Sequence, residues 1–490
     1  MPDARELGHS SFSSGLGGLS SQANRVSFAP YLMVPFCAIA TVVVAITHGA
    51  VISLIFAFSL MFMCFAYYHF AIAMLLMIFL LPFDLQRNLG GDHALFADLA
   101  KLLLILPFLL IRPYRKSLAE SRLCKFFLSA FLFNVAISLG RAIDLPLTAK
   151  LLLRQFSAVF FGLMVAVVFR SKEKLTRATA VVLAMIVIQG VYGAYQWMTG
   201  GLGSFWYWLN PEIATFTEWE GRAMGALGHM NSLGGVLNMG LCLALSLLVS
   251  RQWTRWRLRL CLGAAVMLIG LLVTFSRGGW FALALTAVLL FLIEFRRNRR
   301  LILAPVLLAL LLLPIAKTEL GAQVYRRVTT IEPMSDYTRL AADATSLQLF
   351  LQHPLLGVGY GNWRFFFSDY APDLEQLPFA HNLYLGILAE TGLVGFLLFF
   401  VPLGYLIAKG LRFPMEGDLV VATLIRACSL AMIGAFVQGL SDSWVDANPP
   451  YAGLFWTIVG MLISGLALAA KYGNGRSRVL DSGIGDLKPA

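Results

Sequence analysis

The chain is a series of long apolar runs separated by short polar segments. The runs lie near 30–47, 49–66, 68–83, 95–111, 124–140, 150–169, 178–198, 230–250, 257–275, 279–295, 300–316, 382–408, 419–440 and 450–470. Each is continuously apolar rather than alternating. Most are long enough to cross ~30 Å of hydrocarbon as a helix. In hydrocarbon the backbone must satisfy itself, so only helices or closed barrels span, and barrel strands are ~10 alternating residues. The pattern therefore predicts an all-α polytopic membrane protein with about 12–14 transmembrane helices. The stretch 48–83 holds no Asp, Glu, Lys or Arg and reads as two spans or one broken span.

Composition agrees. The chain is 59% hydrophobic and 13% charged, with a mean hydropathy of +0.76, whereas soluble domains carry about 25% charged residues. The net charge of +12 would suit nucleic acid if it formed a patch. Instead the basic residues sit in short segments between apolar runs, as the positive-inside rule expects of a membrane protein. Nucleic acid is excluded as a partner and membrane lipids are expected. With the N-terminus inside, the inside segments hold 25 of the 38 Lys and Arg. Arg296, Arg297, Arg299 and Arg300 crowd one such turn. Residues 1–29 and 471–490 read as disordered cytoplasmic tails. Between them lie N-terminal membrane helices over 30–316, a large periplasmic loop over 317–381 and C-terminal membrane helices over 382–470. All six cysteines lie in or beside apolar runs, with no CxxC or Cys/His metal spacing.

Two outside segments stand out. Residues 199–229 hold Trp206, Trp208, Trp219 and Arg222. The tryptophans suit an interfacial aromatic belt, with sugar stacking as the sharper reading. Residues 317–381 hold Arg326, Arg327, Arg339 and Arg364, a helix-compatible stretch near 336–352 and a Gly/aromatic segment. Loops of that length between packed elements are functional or disordered.

Three elements on the expected outer side carry the candidate chemistry. The first runs Gly221-Arg222-Ala223-Met224-Gly225-Ala226-Leu227-Gly228-His229-Met230-Asn231-Ser232-Leu233-Gly234. The second is Thr274-Phe275-Ser276-Arg277-Gly278-Gly279-Trp280. The third runs from His353-Pro354-Leu355-Leu356-Gly357-Val358-Gly359-Tyr360-Gly361-Asn362 to His381-Asn382-Leu383-Tyr384-Leu385 and Glu390-Thr391-Gly392-Leu393-Val394-Gly395. Together, over about 220 to 400, they resemble the O-antigen ligase and polysaccharide polymerase family of bacterial membrane glycosyltransferases. The N-terminal third matches only as a hydrophobic frame. The resemblance implies a glycosyltransferase C-type fold in the inner membrane, with the active site facing the periplasm. It implies an undecaprenyl-diphosphate-linked glycan as donor and no cofactor, nucleotide sugar or required metal.

The chemistry of the residues is compatible with that. A glycosyl diphosphate leaves with concentrated negative charge, and stabilising developing charge is the largest catalytic lever. Arginine offers a permanent charge and a planar fork that matches phosphate oxygens. Arg222 and Arg277 match family arginines implicated in diphosphate binding; the plainer reading is a snorkelling interfacial arginine. His381, just before an apolar helix, matches the family histidine proposed to activate the acceptor hydroxyl, and histidine is tuned for that task. Asn382 caps that helix or orients His381. Arg339 and Arg364 are candidates for glycan or phosphate contact, against salt bridges to nearby acids. Glu390, more than two turns deeper, is a weaker candidate for the substrate site and more naturally packs on another helix. The Gly357–Gly361 segment has no preceding strand and no Lys-Ser/Thr after it, so it reads as a tight turn rather than a nucleotide loop. His229 and His353 read as helix-entry and turn residues. Lys101, Arg154 and Arg426 are charges within the membrane.

The expected acceptor is lipid A-core, which makes the chain a ligase. A growing O-antigen or exopolysaccharide chain would make it a polymerase. A lipid-linked oligosaccharide flippase is the rival from another class; the absence of repeat halves and the single large asymmetric loop weigh against it.

Overall fold

A computed structural model describes residues 50–82, 86–89, 92–199, 221–295, 316–330, 333–374, 377–414, 418–444 and 449–483. The apolar runs at 30–47 and 300–316, Trp206, Trp208, Trp219 and the tail 1–29 lie outside them. The chain divides into two compact units, 1–65 and 66–490. Of the first, only the start of helix α1 (Ala50–Tyr68) is described.

Among its described residues the second unit is helical apart from one short antiparallel hairpin. The order is α2 (Phe70–Leu80), β1 (Gln86–Leu89), β2 (Asp92–Leu95), α3 (Phe96–Leu103), α4 (Ile105–Leu110), α5 (Arg112–Glu120), α6 (Arg122–Gly140), α7 (Leu145–Val168) and α8 (Lys172–Met198). Then follow α9 (Met230–Val249), α10 (Arg257–Val273) and α11 (Arg277–Phe295). The long loop holds α12 (Glu319–Thr329), α13 (Pro333–Gln352) and α14 (Trp363–Tyr370). Last come α15 (Leu383–Leu411), α16 (Leu419–Gln438) and α17 (Pro449–Gly483). Among the described residues, nine helices are long and apolar enough to cross a membrane: α6 to α11 and α15 to α17. The protein is thus an all-α polytopic membrane protein.

Three expectations change. The run 95–111 is not one span but two short helices, α3 and α4, interrupted at Leu104, with Pro107 in the second. The run 68–83 yields an 11-residue helix. The last helix extends past residue 470 to Gly483. Elsewhere polar residues set the helix starts. Asp144, Ser171 and Asp418 accept hydrogen bonds from the first free backbone N–H groups of α7, α8 and α16.

Burial sorts the spans. In α17, 89% of the apolar window is buried; in α11 and α15 the share is 17%. Helices α7, α9, α16 and α17 therefore form the centre. Phe281, Leu285, Val288 and Leu292 repeat at helical spacing along the exposed face of α11, as a lipid-facing helix requires. At the centre α7 and α17 approach backbone to backbone. A Cβ on Gly162 would stand only 2.5 Å from the Trp456 carbonyl oxygen, so only glycine fits.

The long loop has its own core. Ala342, Leu349, Val358, Trp363 and Phe367 pack with Ala389 of α15. The glycine-rich segment enters a break in α15 at Gly392, whose φ of 64° lies in the left-handed region. There Val358 and Gly359 donate to the carbonyls of Ala389 and Glu390 (2.9 and 2.8 Å), while Leu393 donates to that of Pro354 (2.8 Å). The break frees backbone groups that the inserted loop then satisfies, the arrangement irregular backbone needs at membrane depth.

Candidate functional site

Buried side chains first shape the segment before α9. The Oε1 of Gln196 accepts from the N–H groups of Met224 and Gly225 (3.1 and 2.8 Å), and that of Gln189 from Ala226 (2.8 Å). Both glutamines lie on α8, so the turn 224–226 is held by that helix. Ala223 donates to the carbonyl of Val273 at the end of α10 (2.9 Å). Arg222 donates through Nε to the Thr274 carbonyl (3.0 Å) and through Nη2 to that of Phe275 (3.1 Å). Arg327, on α12 in the loop, donates through Nε to the same Phe275 carbonyl (3.1 Å). Phe275 has a φ of 50°, the one non-glycine residue with positive φ among those described. That conformation is costly for a bulky side chain and marks a constrained turn.

Arg277 opens α11 immediately after this turn. Two contacts stitch the turn to its neighbours. Ser276 Oγ donates to Asn231 Oδ1 of α9 (2.9 Å). Gly278 lies against Ser441, where any Cβ would overlap the Ser441 hydroxyl. Leu383, at the start of α15, donates to the Gly439 carbonyl (2.8 Å), bringing in the segment that follows α16. The ends of α8, α10 and α16 and the starts of α9, α11 and α15 thus meet at one end of the bundle.

At that junction Asp442 is fully buried between two histidines. His229 Nδ1 lies 3.8 Å from one carboxyl oxygen, and His381 Nδ1 lies 4.0 Å from the other. Among the described residues none of these four atoms has a side-chain hydrogen-bond partner. Burial raises the Asp442 carboxyl to about 6, against the lowering pull of His381, Arg339 and the Ser443 backbone N–H. Burial lowers His381, assisted by Arg339 and His229 and opposed by Asp442. Burial followed by Arg222 and Arg339 lowers His229. Both histidines are therefore neutral near pH 7, more through burial than through the arginines. Asn382 caps α15, accepting from the N–H groups of Tyr384 and Leu385 (3.0 and 3.3 Å), and hydrogen-bonds Asp343 of α13. Arg339, one turn before Asp343, lies within electrostatic reach of both histidines and Asp442.

The expected residues thus divide. His381, Arg222, Arg277, Asn382 and Arg339 belong to the elements that meet here. Glu390, on α15, and Arg364, on α14, lie instead at the glycine-rich turn. Glu390 Oε1 accepts from the N–H groups of Gly361 and Trp363 (3.0 and 3.3 Å), holding the glycine-rich turn, and Arg364 starts α14 beside that turn. The embedded charges are paired: Lys101 with Asp98 (2.6 Å), Arg154 with Asp98 (3.9 Å) and Arg426 with Glu294 (2.9 Å). An open apolar groove runs between α6, α7, α15 and α17, lined by Phe131, Val159, Ile387, Phe399 and Trp456, with Tyr360 and Glu390 also at its wall.

Sequence reasoning missed Asp442. Its signal was an acid in Ser441-Asp442-Ser443-Trp444, a short link between two apolar runs on the side of His381. It also took His229 for a helix-entry residue alone. That histidine does occupy the N-cap of α9, but its side chain makes no capping hydrogen bond.

A helical, multi-pass membrane protein with a buried carboxylate, two neutral histidines and several arginines at one end of the bundle is the class defined so far. Residues 262–400 match the family model described as O-antigen ligase, so this part of the chain is similar to the O-antigen ligase and polymerase family. The matched stretch contains Arg277, Arg339 and His381; Arg222, His229 and Asp442 lie outside it. No curated protein matches the chain.

Proposed function

We propose that the protein transfers a glycan from undecaprenyl diphosphate to an acceptor hydroxyl on the periplasmic face of the bacterial inner membrane, with lipid A-core as acceptor. The observation that carries this reading is the approach of His381 to the buried Asp442, under Arg339 and beside the arginine-bearing turn, within a chain that has an O-antigen ligase domain.

The residues divide the work as follows. Arg222 and Arg277 hold the donor diphosphate and stabilise the charge that builds as the glycosyl bond breaks. Arg339 contributes from the loop. His381 takes the acceptor's proton; its lowered pKa keeps it neutral and able to do so. Asp442 orients the imidazole through Nδ1 once the 4.0 Å gap closes, since catalytic hydrogen bonds tighten in the substrate complex. The groove along α15 offers an apolar surface to the hydrocarbon chain of the carrier.

The test is a chromosomal deletion followed by analysis of surface glycans and carrier-linked intermediates. A ligase leaves lipid A-core without O-antigen and lets finished polymer accumulate on the carrier. A polymerase leaves single repeats transferred. Unchanged glycans would sink both readings. Reporter fusions after residues 120, 175, 255 and 298 should report cytoplasm, and one at 350 periplasm; a cytoplasmic signal at 350 overturns the orientation.

A further inference from the structure

Asp442 faces two histidines, not one. Each Nδ1 approaches a different carboxyl oxygen, at 3.8 Å from His229 and 4.0 Å from His381. Arg222 acts electrostatically on His229, and Arg339 on both histidines. About a third of the His229 side chain remains accessible. The charged and titratable groups acting on the pair are Arg222, Arg339, Asp442 and each other, and Asp442 in turn acts on Tyr451.

We propose that Asp442 works as a neutral carboxylic acid that sets opposite tautomers on the two histidines, making His381 the base for the acceptor and His229 a hydrogen-bond donor to the departing diphosphate. This rests on the function proposed above. A protonated carboxyl has one O–H donor and one carbonyl acceptor. Its carbonyl takes the Nδ1–H of His381, which leaves the His381 Nε2 lone pair for the acceptor hydroxyl. Its O–H points to Nδ1 of His229, which leaves the proton of that ring on Nε2, the nitrogen turned away from Asp442. A hydrogen bond from Nε2–H to the leaving oxygen strengthens as charge develops there. Loss of one such donor typically costs 10²–10³ in rate.

Three features agree with a neutral Asp442. The carboxyl has no accessible surface. Neither oxygen has a side-chain hydrogen-bond partner among the described residues, and only the Ser443 backbone N–H favours the charged form by hydrogen bonding, a costly arrangement for a carboxylate. Burial has already raised it to about 6, and a bound diphosphate adds negative charge that raises it further.

The arrangement predicts unequal tolerance of similar substitutions. A glutamine amide nitrogen lies close to the place of Nε2, and an asparagine nitrogen close to that of Nδ1. His229→Gln should keep kcat within about tenfold, because it preserves the donor. His229→Asn should lose about 10²–10³, with donor binding little changed. His381→Gln should lose about 10²–10⁴, because an amide accepts no proton. Asp442→Asn keeps one donor and one acceptor, so it should outperform Asp442→Ala by at least about tenfold. It should also abolish the alkaline limb of the kcat profile, which arises when Asp442 ionises in the substrate complex.

The measurement is transfer by the purified full-length protein, with an undecaprenyl-diphosphate oligosaccharide as donor and lipid A-core as acceptor, alongside donor binding and thermal unfolding. A wild-type protein that transfers to no acceptor refutes the function, not the tautomers alone. Wild-type transfer with His229→Asn fully active, with Gln and Asn equally impaired, or with Asp442→Asn as dead as Asp442→Ala overturns the inference. Should no variant fold, a wild-type profile lacking an alkaline limb overturns it instead.

Discussion

Two buried charge clusters in this protein look alike in composition and differ in how they are satisfied. In one, Asp98 Oδ1 takes Lys101 Nζ at 2.6 Å and the Ser157 hydroxyl at 2.5 Å, with Arg154 at 3.9 Å. In the other, Asp442 stands 3.8 and 4.0 Å from two histidines, and no hydrogen bond joins them. A buried carboxylate costs several kcal/mol unless paired and hydrogen-bonded. The Asp98 cluster meets that requirement at Oδ1, through Lys101 and Ser157, leaves Oδ2 only the Arg154 ion pair at 3.9 Å, and ties α3 to α7. The Asp442 cluster leaves it unmet by any side-chain donor, and a buried polar group with a shifted pKa beside specific charge partners marks a candidate functional site.

That contrast can be broken by substitution, and the largest effect belongs to the unsatisfied cluster. His381→Ala should cut transfer by about 10²–10⁴ while leaving the protein abundant and inserted. Transfer at the wild-type rate would reduce His381 to a capping-turn residue. In the unsubstituted protein kcat/KM should fall as pH drops through the His381 pKa, which lies below 6.5; an acid limb above 6.5 would contradict the burial argument. Next comes the arginine turn. Arg277→Ala should cost about 10²–10³ in kcat, and Arg277→Lys should recover little, since a point charge replaces a fork. A fully active lysine variant would mean that charge alone matters.

The satisfied cluster should respond in stability instead. Asp98→Ala strands Lys101 in the interior and should cost about 3–5 kcal/mol, read as lowered thermal stability and abundance, with kcat of the surviving protein unchanged. Loss of activity without loss of stability would erase the distinction between the clusters. The smallest effect is expected at Glu390. Its carboxylate accepts two backbone N–H groups of the glycine-rich turn. Glu390→Gln keeps an acceptor but loses the charge, so it should cost about 1–2 kcal/mol of stability with transfer largely retained. A collapse of kcat at unchanged stability would return Glu390 to the substrate site.

Much of the frame was legible along the chain. Nine of the apolar runs became long helices, because hydrocarbon leaves a continuous apolar segment no other structure. The helix near 336–352 and the tight glycine turn were also readable, from propensity and from positive-φ demand. The break of the 95–111 run was marked by Pro107 but masked by overall hydropathy. For Glu390 the choice between loop and substrate depended on Gly392, whose left-handed backbone opens α15 to the inserted loop. Nothing local in the sequence says that Gly361 and Trp363 will aim their N–H groups at that carboxylate.

By itself the sequence determined that the chain crosses a membrane many times, where most of the helices run, and that His381, Arg222 and Arg277 stand at helix ends on the same side. Those properties depend on residues a few positions apart, through helical period, solvation and charge. Only the tertiary structure decided that Asp442, 61 positions after His381 and 213 after His229, is buried between both. That position arises where the ends of α8, α10 and α16 pack against the starts of α9, α11 and α15. It is set by glycine contacts such as Gly278 on Ser441 and by backbone bonds such as Leu383 to Gly439. Burial in that junction is what makes an ordinary aspartate and two ordinary histidines chemically distinct, because desolvation acts on position in space and not on order in the chain.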